Sequence, residues 1–556
     1  MTKPQARQYS SVLMMWLTAS ALAAEPVADV AGAYQVRVNQ AGYQSHGTKA
    51  FYPSQVGELQ LLDVVSAKVI KRYQVTAANQ ALYLPEQLPA GWYQLHSDSQ
   101  QSAVFEVSDA VLDNTVATLL AAFRYQHAGV AIRDVVSGVQ RPPAHLNDGV
   151  IARDDEINQA GDRFDGSGGW YDAGDYGKYV ATTAITAARM LDAAVDSQQP
   201  TLQQRLRQEA LIGLDWLARM QRADGAFYRK IGAEKWPPLV PPHQDRQVRL
   251  VYGVSTPDSA KAVAALAQAA RMLMDDDPQR SQRYLRQAQL GWQWLALQPQ
   301  QFIDWQAGDD GGSGPYMYNQ WDTQSSLQHD EDDRFWAAVE LYLATDDSQY
   351  YRYLQTHLPP VVSIFEWKDP SVLGMWHLLI SGHAGELTEP LQLRFNSHCQ
   401  RLRQNAYRGE FQVANQRFIW GSNKMVAEEG ILFGYCYRLS GDAEYLNLAW
   451  SQWNYLFGIN PFGLSYVTGV GEHAVENLHH IWGRAVGFVP PGMLVGGPNQ
   501  DAQAGFAPKA LGMRSYVDDA KDYSVNEFAI DYNAAAIGLG ALLANPDGVS
   551  QQQAQQ

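Results

Sequence analysis

The sequence predicts a large all-α domain preceded by a small all-β sandwich. Three observations predict it. Between Tyr34 and about Ser108, apolar residues alternate with polar ones, and glycine-containing turns separate the runs. From about Val111 the apolar spacing becomes three to four residues, the period of an amphipathic helix, and similar faces recur as far as Leu543. The chain has 556 residues, 46% hydrophobic and 18% charged, which suits a globular protein with a large core.

Residues 1–24 read as a signal peptide. Lys3 and Arg7 supply a basic start, residues 12–24 are an apolar run too short to span a bilayer, and Ala21-Leu22-Ala23 offers a small-x-small cleavage site. Export to the periplasm or the exterior is expected. No cysteine comes after it to carry a lipid, and no other segment has the apolar length of a membrane helix.

Residues 25–110 form the β module. Val36/Val38, Leu59/Leu61, Tyr93/Leu95 and Phe105/Val107 alternate with polar neighbours, with turns at Ala41-Gly42, Val56-Gly57 and Pro89-Ala90-Gly91. The module carries no acid pair and no metal motif. It reads as a brace for the helical domain, with sugar binding as the lesser reading. Asp109 runs straight into helix, so the module is expected to dock rather than swing on a linker.

Residues 111–545 are helical. Leu112, Val116, Leu119 and Phe123 open the pattern; residues 183–195, 202–217, 262–274, 285–294, 335–343, 425–437, 446–456 and 534–543 continue it. Long loops at 145–177, 300–330 and 465–530 hold the unusual residues. Residues 546–556 are Gln-rich and are expected to fray.

The formal net charge of -16 argues against nucleic acid or an anionic membrane as partner. It suits a neutral sugar and would not repel a cationic one. The two cysteines, Cys399 and Cys436, exclude a disulfide framework and a four-cysteine zinc site. One bridge and two buried thiols both remain compatible with them.

Two loop stretches carry chemistry. Residues 518–534 crowd Glu527 with other carboxylates, and they lead into an Ala/Gly/Leu run that reads as a buried helix. A carboxyl at the mouth of an apolar helix, beside like charges, has its pKa raised, as a general acid requires. Composition alone also fits a solvated acidic loop capping a helix. The second stretch is Gly168-Gly-Trp-Tyr-Asp-Ala-Gly-Asp-Tyr-Gly-Lys-Tyr-Val180. Its glycines permit tight turns, so Asp172 and Asp175 can face one point beside aromatic rings. The alternative is a turn whose aspartate caps a helix starting at Lys178.

Together these stretches resemble glycoside hydrolase family 9, the inverting cellulases. Residues 170–180 resemble the family's Asp-Ala-Gly-Asp motif. Tyr516, Asp518, Tyr523, Glu527, Ala529 and Asn533-Ala534 match its C-terminal signature. Residues 465–480, Trp420-Gly-Ser-Asn423 and residues 491–498 are similar to further family segments, so the resemblance runs from about residue 34 to 544. Val36-Arg-Val-Asn-Gln-Ala-Gly-Tyr43 resembles the start of the immunoglobulin-like domain that precedes many family members.

The resemblance implies an (α/α)6 barrel with a cleft across one end. It implies Glu527 as general acid and Asp175 as general base, with Asp172 helping to hold the water. It also places Asp518 as a setter of charge near Glu527, and His479, with His480, against the sugar. Where the family continues His-x-Arg, this chain has His479-His480-Ile481, with Arg484 three residues on and His473 earlier in the block. Positions 473 and 481 are expected to border the sugar, so the loss of the arginine points to short soluble oligosaccharides. The zinc-type cysteines of some relatives are absent; His127 and His145 alone would make a poor site.

Trp170, Trp305, Trp321, Trp420 and Trp482 lie in or beside loops, and each fits a core as well as a sugar platform. Trp420 is the preferred platform; Trp170, Trp482, Tyr523 and Arg484 join it as candidate substrate contacts. Asp304, Asp309, Asp310 and the acids at 330–333 are oxygen ligands of the kind calcium takes, but they fit no EF-hand. A solvated acidic face is the default there, structural calcium stays open, and no cofactor is expected for the chemistry.

The leading reading is a secreted, monomeric, inverting hydrolase of β-1,4-glucosidic bonds, of the endoglucanase type. One alternative is an exo-acting β-glucosidase or glucosaminidase on short or chitosan-derived oligosaccharides. The other is a non-catalytic carbohydrate-binding protein, against which the joint presence of Asp175 and Glu527 speaks.

Overall fold

The computed structural model describes residues 34–312 and 329–548. The expected leader, Trp321 and the residues after 548 lie outside the described residues. Within them the β module is a sandwich. One sheet pairs β1 (Val36–Arg37), β2 (Ala50–Pro53) and β5 (Leu82–Tyr83); the other has the order β4 (Lys68–Val75), β3 (Gly57–Asp63), β6 (Gly91–His96), β7 (Phe105–Val107). All neighbours are antiparallel. Leu59 and Leu61 of β3 point inward, and Leu61 stands opposite Leu95 of β6. With Phe51 and Phe105 they close a core separate from the helical one.

The sandwich docks through the residues between its first two strands. Gln40 N–H donates to Phe457 O at 2.8 Å, its Nε2 donates to Gly463 O at 2.9 Å, and its Oε1 accepts from His473 N–H at 2.8 Å. Asn39 Nδ2 donates to Asn454 Oδ1 at 2.9 Å. A Cβ at Gly471 would stand 2.6 Å from Gln40 Cβ, so the approach depends on glycine there. His473, expected beside the sugar, therefore belongs to this seam: its Nδ1 lies 3.0 Å from Gly463 O.

The helices are α1 (Val111–Ala122), α2 (Val180–Asp196), α3 (Pro200–Arg219), α4 (Thr256–Met272), α5 (Pro278–Leu297), α6 (Glu331–Thr345), α7 (Ser348–Thr356), α8 (Ser371–Ile380), α9 (Thr388–Arg408), α10 (Ser422–Ser440), α11 (Ala443–Leu456), α12 (Ile481–Val486), α13 (Tyr523–Asn526) and α14 (Ile530–Ala544). Six of them, α2, α4, α6, α8, α10 and α14, form an inner ring, and α1, α3, α5, α7, α9 and α11 pack outside it. Trp376 of α8 and Tyr435 of α10 stack at 4.0 Å across the ring. This is an (α/α)6 barrel.

Burial separates the two rings. On α4 every residue from Thr256 to Ala270 is buried, because small alanines let neighbours close in on all sides. On α5 only a stripe is buried: Ser281, Tyr284, Ala288, Gly291, Trp294 and Leu295. Aspartates cap outer helices: Asp277, Asp347 and Asp442 each accept a backbone N–H of the first turn. Cys399 of α9 is bridged to Cys436 of α10, which settles the choice left open by the sequence.

Three features depart from the sequence expectations. Helices α7, α8, α9, α12 and α13 were not foreseen, although Leu391, Phe395, Cys399, Leu402 and Ala406 make a helical stripe on α9. Lys178–Tyr179 is a strand, and the helix begins at Val180. It edges a second sheet with Tyr228–Gly232, Leu250–Val254 and Val150–Ile151, in that order. The chain also stays anchored past Asn545: Arg438 Nε donates to Pro546 O and Tyr437 OH to Asp547 Oδ1, both at 2.9 Å.

Candidate active site

Helices α2, α8, α10 and α14 begin at one end of the barrel, and residues at or just before their first turns line one cavity of about 560 Å³. Asp172, Asp175, Trp420, His479, Tyr523 and Glu527 all border it. Three segments distant in sequence meet there through the backbone. His479 and Glu527 form a parallel bridge, with His479 N–H donating to Asn526 O at 2.8 Å. Ile481 N–H donates to Gly174 O at 2.7 Å, and Ile530 N–H to Asp172 O at 2.8 Å.

Gly174 explains why the motif needs glycine. A Cβ there would lie 2.4 Å from His479 O and 2.9 Å from Glu527 Oε1. Instead its N–H donates to Glu527 Oε1 at 3.1 Å. Glu527 is half-buried in the cavity wall, and desolvation lifts its carboxyl well above the usual range; the nearby charges of Asp175 and Asp172 lift it further, against the Gly174 N–H. The solvated-loop alternative is thereby excluded for Glu527.

Asp175 is buried, and burial pushes it up to about 6. The Gly177 N–H, at 2.8 Å from Oδ1, and the cations Arg249 and Lys230 restrain the rise. Thr182 of α2 donates its hydroxyl to Asp172 Oδ1. Behind this loop lies a buried ion network. Lys178 Nζ sits 2.7 Å from Asp148 and donates to Gly166 O at 2.6 Å. Arg249 sits 3.0 Å from Asp148 and also donates to Tyr176 O. Burial would raise Asp148, but these two cations hold it at about 2.

His479 turns Nδ1 toward Ala520 O at 2.7 Å, and a carbonyl only accepts, so Nδ1 carries the proton. Its Nε2 is buried with no hydrogen-bond partner and belongs to a residue that lines the cavity. Burial lowers its pKa, which keeps it neutral at pH 7. Trp420 and Tyr523 flank the acid with ring centroids 5.6 Å apart.

Other expected site residues lie elsewhere. Asp518 accepts the N–H groups of Glu476 (2.9 Å) and Asn477 (3.1 Å) and the Asn526 amide (2.7 Å), so it ties the two loops together rather than facing the cavity. His480 caps α12: its Nδ1 accepts from Gly483 N–H and its Nε2 donates to Gln126 Oε1, both at 3.0 Å. Gln126 in turn donates to Ala173 O at 2.6 Å, so His480 steadies the aspartate loop from behind. Trp170 is wholly buried and donates to Glu209 of α3 at 2.8 Å. Trp482 is buried under the Arg141 guanidinium at 4.9 Å. Neither ring can stack on a sugar. Arg484 points outward, 3.5 Å from His479 Nδ1, and does not line the cavity. Ile481, expected to lay a methyl group against the sugar, is in the core.

The acidic residues around 304–333 also differ from a solvated face. Arg153 binds Asp304 at 3.0 Å and Asp309 at 2.8 Å, Lys230 binds Asp310 at 2.8 Å, and Lys261 binds Asp333 at 2.6 Å. Among the described residues no group of three or more metal-ligating side chains is placed to hold a metal.

The sequence reading missed Trp236, Glu366, Trp367, Lys424 and Asp531, which line the cavity. Trp236 stands beside two prolines and is half exposed, the pattern of a ring held out on a stiff loop. Lys424 comes directly after the Trp-Gly-Ser-Asn segment and pairs with Asp531 at 3.5 Å.

The comparisons with known proteins agree with this geometry. The model of glycosyl hydrolase family 9 matches residues 113–540. A solved metagenome-derived endoglucanase of that family superposes with a TM-score of 0.85 at 33% identity, over 92% of this chain and 99% of that one. A xyloglucan-specific endo-β-1,4-glucanase of Bacteroides ovatus is 27% identical over 95% of this chain and 96% of its own length. A cellodextrinase of Butyrivibrio fibrisolvens is 26% identical over 80% of this chain and 86% of its own.

Proposed function

The chain belongs to glycosyl hydrolase family 9, and from that premise we propose how its cleft divides the work. It is a glycoside hydrolase of the endo-β-1,4-glucanase type. Glu527 is the general acid that protonates the leaving glycosidic oxygen. Asp175 is the general base that takes a proton from water as the water oxygen attacks the anomeric carbon from the opposite face, giving an inverted product. Asp172, braced by Thr182, helps hold that water. His479 offers its neutral Nε2 to a sugar hydroxyl. Trp420 and Tyr523, with Trp236 and Trp367, give the rings apolar faces to lie on.

One observation carries the reading: two desolvated carboxyls, one buried and one half-buried, face one cavity, and only one of them is backed by cations. A carbohydrate-binding cleft without catalysis has no use for that asymmetry. The exo-acting and glucosaminidase alternatives are not favoured. Ile481 does not touch the cleft, so the missing arginine says nothing about the sugar there. Lys368 and Lys424 line the cavity among its acids, so it does not specially welcome a cationic sugar. Two carboxylates and water complete the reaction, and no cofactor enters the proposal. We further propose that the protein is exported and acts as a monomer.

The test is proton NMR of the first product released from a soluble β-1,4-glucan. The inverted anomer is expected. A retained anomer would mean that Asp175 attacks carbon directly, and the assignment of roles would fall.

A further inference from the structure

A second cavity, of about 340 Å³, lies on the barrel flank where the sandwich meets α9 and α11. It shares no lining residue with the cleft. Its volume lies within the roughly 300–1,000 Å³ of small-ligand sites. Three aromatic rings border it, one from each element: Tyr83 of β5, Tyr407 of α9 and Trp450 of α11. Tyr83 and Tyr407 are 49% and 54% exposed, although an edge strand and a helix end could have turned such rings inward.

The rest of the lining suits an uncharged polyol. Gln412 and Asn447 contribute amides, and amides both donate to and accept from hydroxyls. Glu444 is neutralised by Arg403 at 3.1 Å, so the rim holds no uncompensated acid. The Gln412 wall is backbone-strained. Phe411 and Gln412 both adopt left-handed φ, at 57° and 59°, a conformation unfavourable for residues with a Cβ. The pair is pinned from both sides: Phe411 packs edge-on against Tyr52 of the sandwich at 5.2 Å, and Ser451 of α11 donates to Gln412 Oε1 at 3.2 Å.

We propose that this crevice is a second binding site for β-1,4-glucan, which holds a stretch of the polymer outside the cleft. Exposed tyrosine faces take the apolar faces of successive sugar rings, and the amides take their equatorial hydroxyls. The site needs both domains, since Tyr83 comes from the sandwich and Tyr407 and Trp450 from the barrel. It rests on the glucanase reading for the identity of its ligand. It gives the sandwich a role in substrate capture as well as in bracing.

The experiment uses the full chain. Tyr83→Ala, Tyr407→Ala and the double variant are made both in the active enzyme and in the Glu527→Gln background. Binding of a soluble high-molecular-mass β-1,4-glucan is read by affinity electrophoresis in the Glu527→Gln set, where the polymer survives. Turnover of cellotetraose and of the polymer is read in the active set. Each alanine is expected to weaken polymer binding about 3- to 10-fold, the scale of one lost stacking contact. Turnover of cellotetraose stays unchanged, and Tyr407→Trp keeps polymer binding. Polymer affinity undiminished in the double variant overturns the proposal. So does a parallel loss of cellotetraose turnover, which would mean that the rings only hold the domains together. An active enzyme that cleaves cellotetraose, with no affinity for the polymer in its Glu527→Gln counterpart, also overturns it while leaving the glucanase reading intact. Failure of that reading shows separately, as a wild-type enzyme that cleaves neither substrate.

Discussion

The loop at 168–180 and the loop at 518–531 each deliver one carboxyl to the same cavity, and they are built in opposite ways. The first rests on charge. Arg249, Lys178 and Asp148 are buried behind it, and Arg249 and Lys230 act on Asp175. The second rests on neutral groups. Around Glu527 stand the Gly174 N–H, the His479 backbone and the Asn526 amide network, and among the described residues no cation is a leading influence on its state. Desolvation lifts both carboxyls, but the Gly177 N–H and two cations stop Asp175 at about 6, while the aspartates facing Glu527 add to its rise well above the usual range. At neutral pH the first is a base and the second an acid, although the second is the more exposed to water. Solvent exclusion creates the two shifts, and the neighbouring charges, cations beside Asp175 and aspartates beside Glu527, help tell them apart.

The largest expected effect comes from removing the acid. Glu527→Gln keeps the shape and the Gly174 hydrogen bond but has no proton to give, so turnover of an unactivated glucan should fall at least ~10²-fold. The alkaline limb of the kcat/KM profile should vanish with it. Retained turnover in this variant would show that the proton comes from elsewhere.

Asp175→Asn should abolish turnover on the same scale and stabilise the fold. A carboxyl at about 6 in the folded state and about 3.9 unfolded binds its proton more tightly when folded. Its favourable contribution is complete below about pH 4 and is lost as the pH rises through about 6. At pH 7.5 the asparagine variant should therefore be more stable by about 1–3 kcal/mol, and at pH 4 the difference should close. Chemical denaturation at both values tests this. A variant less stable than wild type at pH 7.5 would mean that the ionised aspartate is well solvated by its cations.

Lys230→Met should sharpen the contrast. Its ammonium lies 2.8 Å from Asp310 and acts on Asp175 at a distance, so its loss lets burial act more freely. The acid limb of kcat/KM should move up by roughly half to one pH unit, with the rate on the alkaline side of the optimum little changed. A limb that stays in place would leave Arg249 as the only cation that matters to Asp175.

Much of this was legible in the sequence, and the failures have a common cause. Asp172, Asp175 and Glu527 were readable because each sits in a compact segment whose glycines and aromatics report the turn around it. The ion network was not, because Asp148, Lys178, Lys230 and Arg249 are brought together only when the second sheet pairs Lys178 with Ile231 and Ile231 with Val251. Trp170, His480 and Trp482 stand beside catalytic residues in the chain but on the far side of the backbone. Adjacency in a motif fixes distance along the chain and not the direction in which a ring points. Ile481 shows the same limit: its backbone N–H holds the aspartate loop while its side chain fills the core. The barrel was foreseen in outline because the fully buried inner helices and the striped outer ones both keep a helical period, whereas short α7 and α12 offer too few turns to show one.

The smallest effect, and the one that separates charge from geometry, belongs to Asp518. The sequence resemblance made it a source of charge near Glu527. In the structure its two oxygens collect the N–H groups of Glu476 and Asn477 and the amides of Asn477 and Asn526. Asn526 also accepts the Tyr516 hydroxyl at 2.6 Å and precedes Glu527, while Asn477 stands two residues before His479. Asp518 thus fixes how the His479 strand meets the Glu527 strand. Asp518→Asn replaces an acceptor with a donor facing other donors, which costs roughly 1–3 kcal/mol of stability. A misplacement of the acid by a fraction of an ångström should lower kcat by about 10-fold or less. The alkaline limb should stay where it is, because Asp175 and Asp172, and not Asp518, raise Glu527. Thermal melting beside a pH profile decides between the two roles. A lower alkaline limb at unchanged melting temperature would restore Asp518 as an electrostatic neighbour of the acid; a lower melting temperature at an unchanged limb assigns it to the frame that aims Glu527.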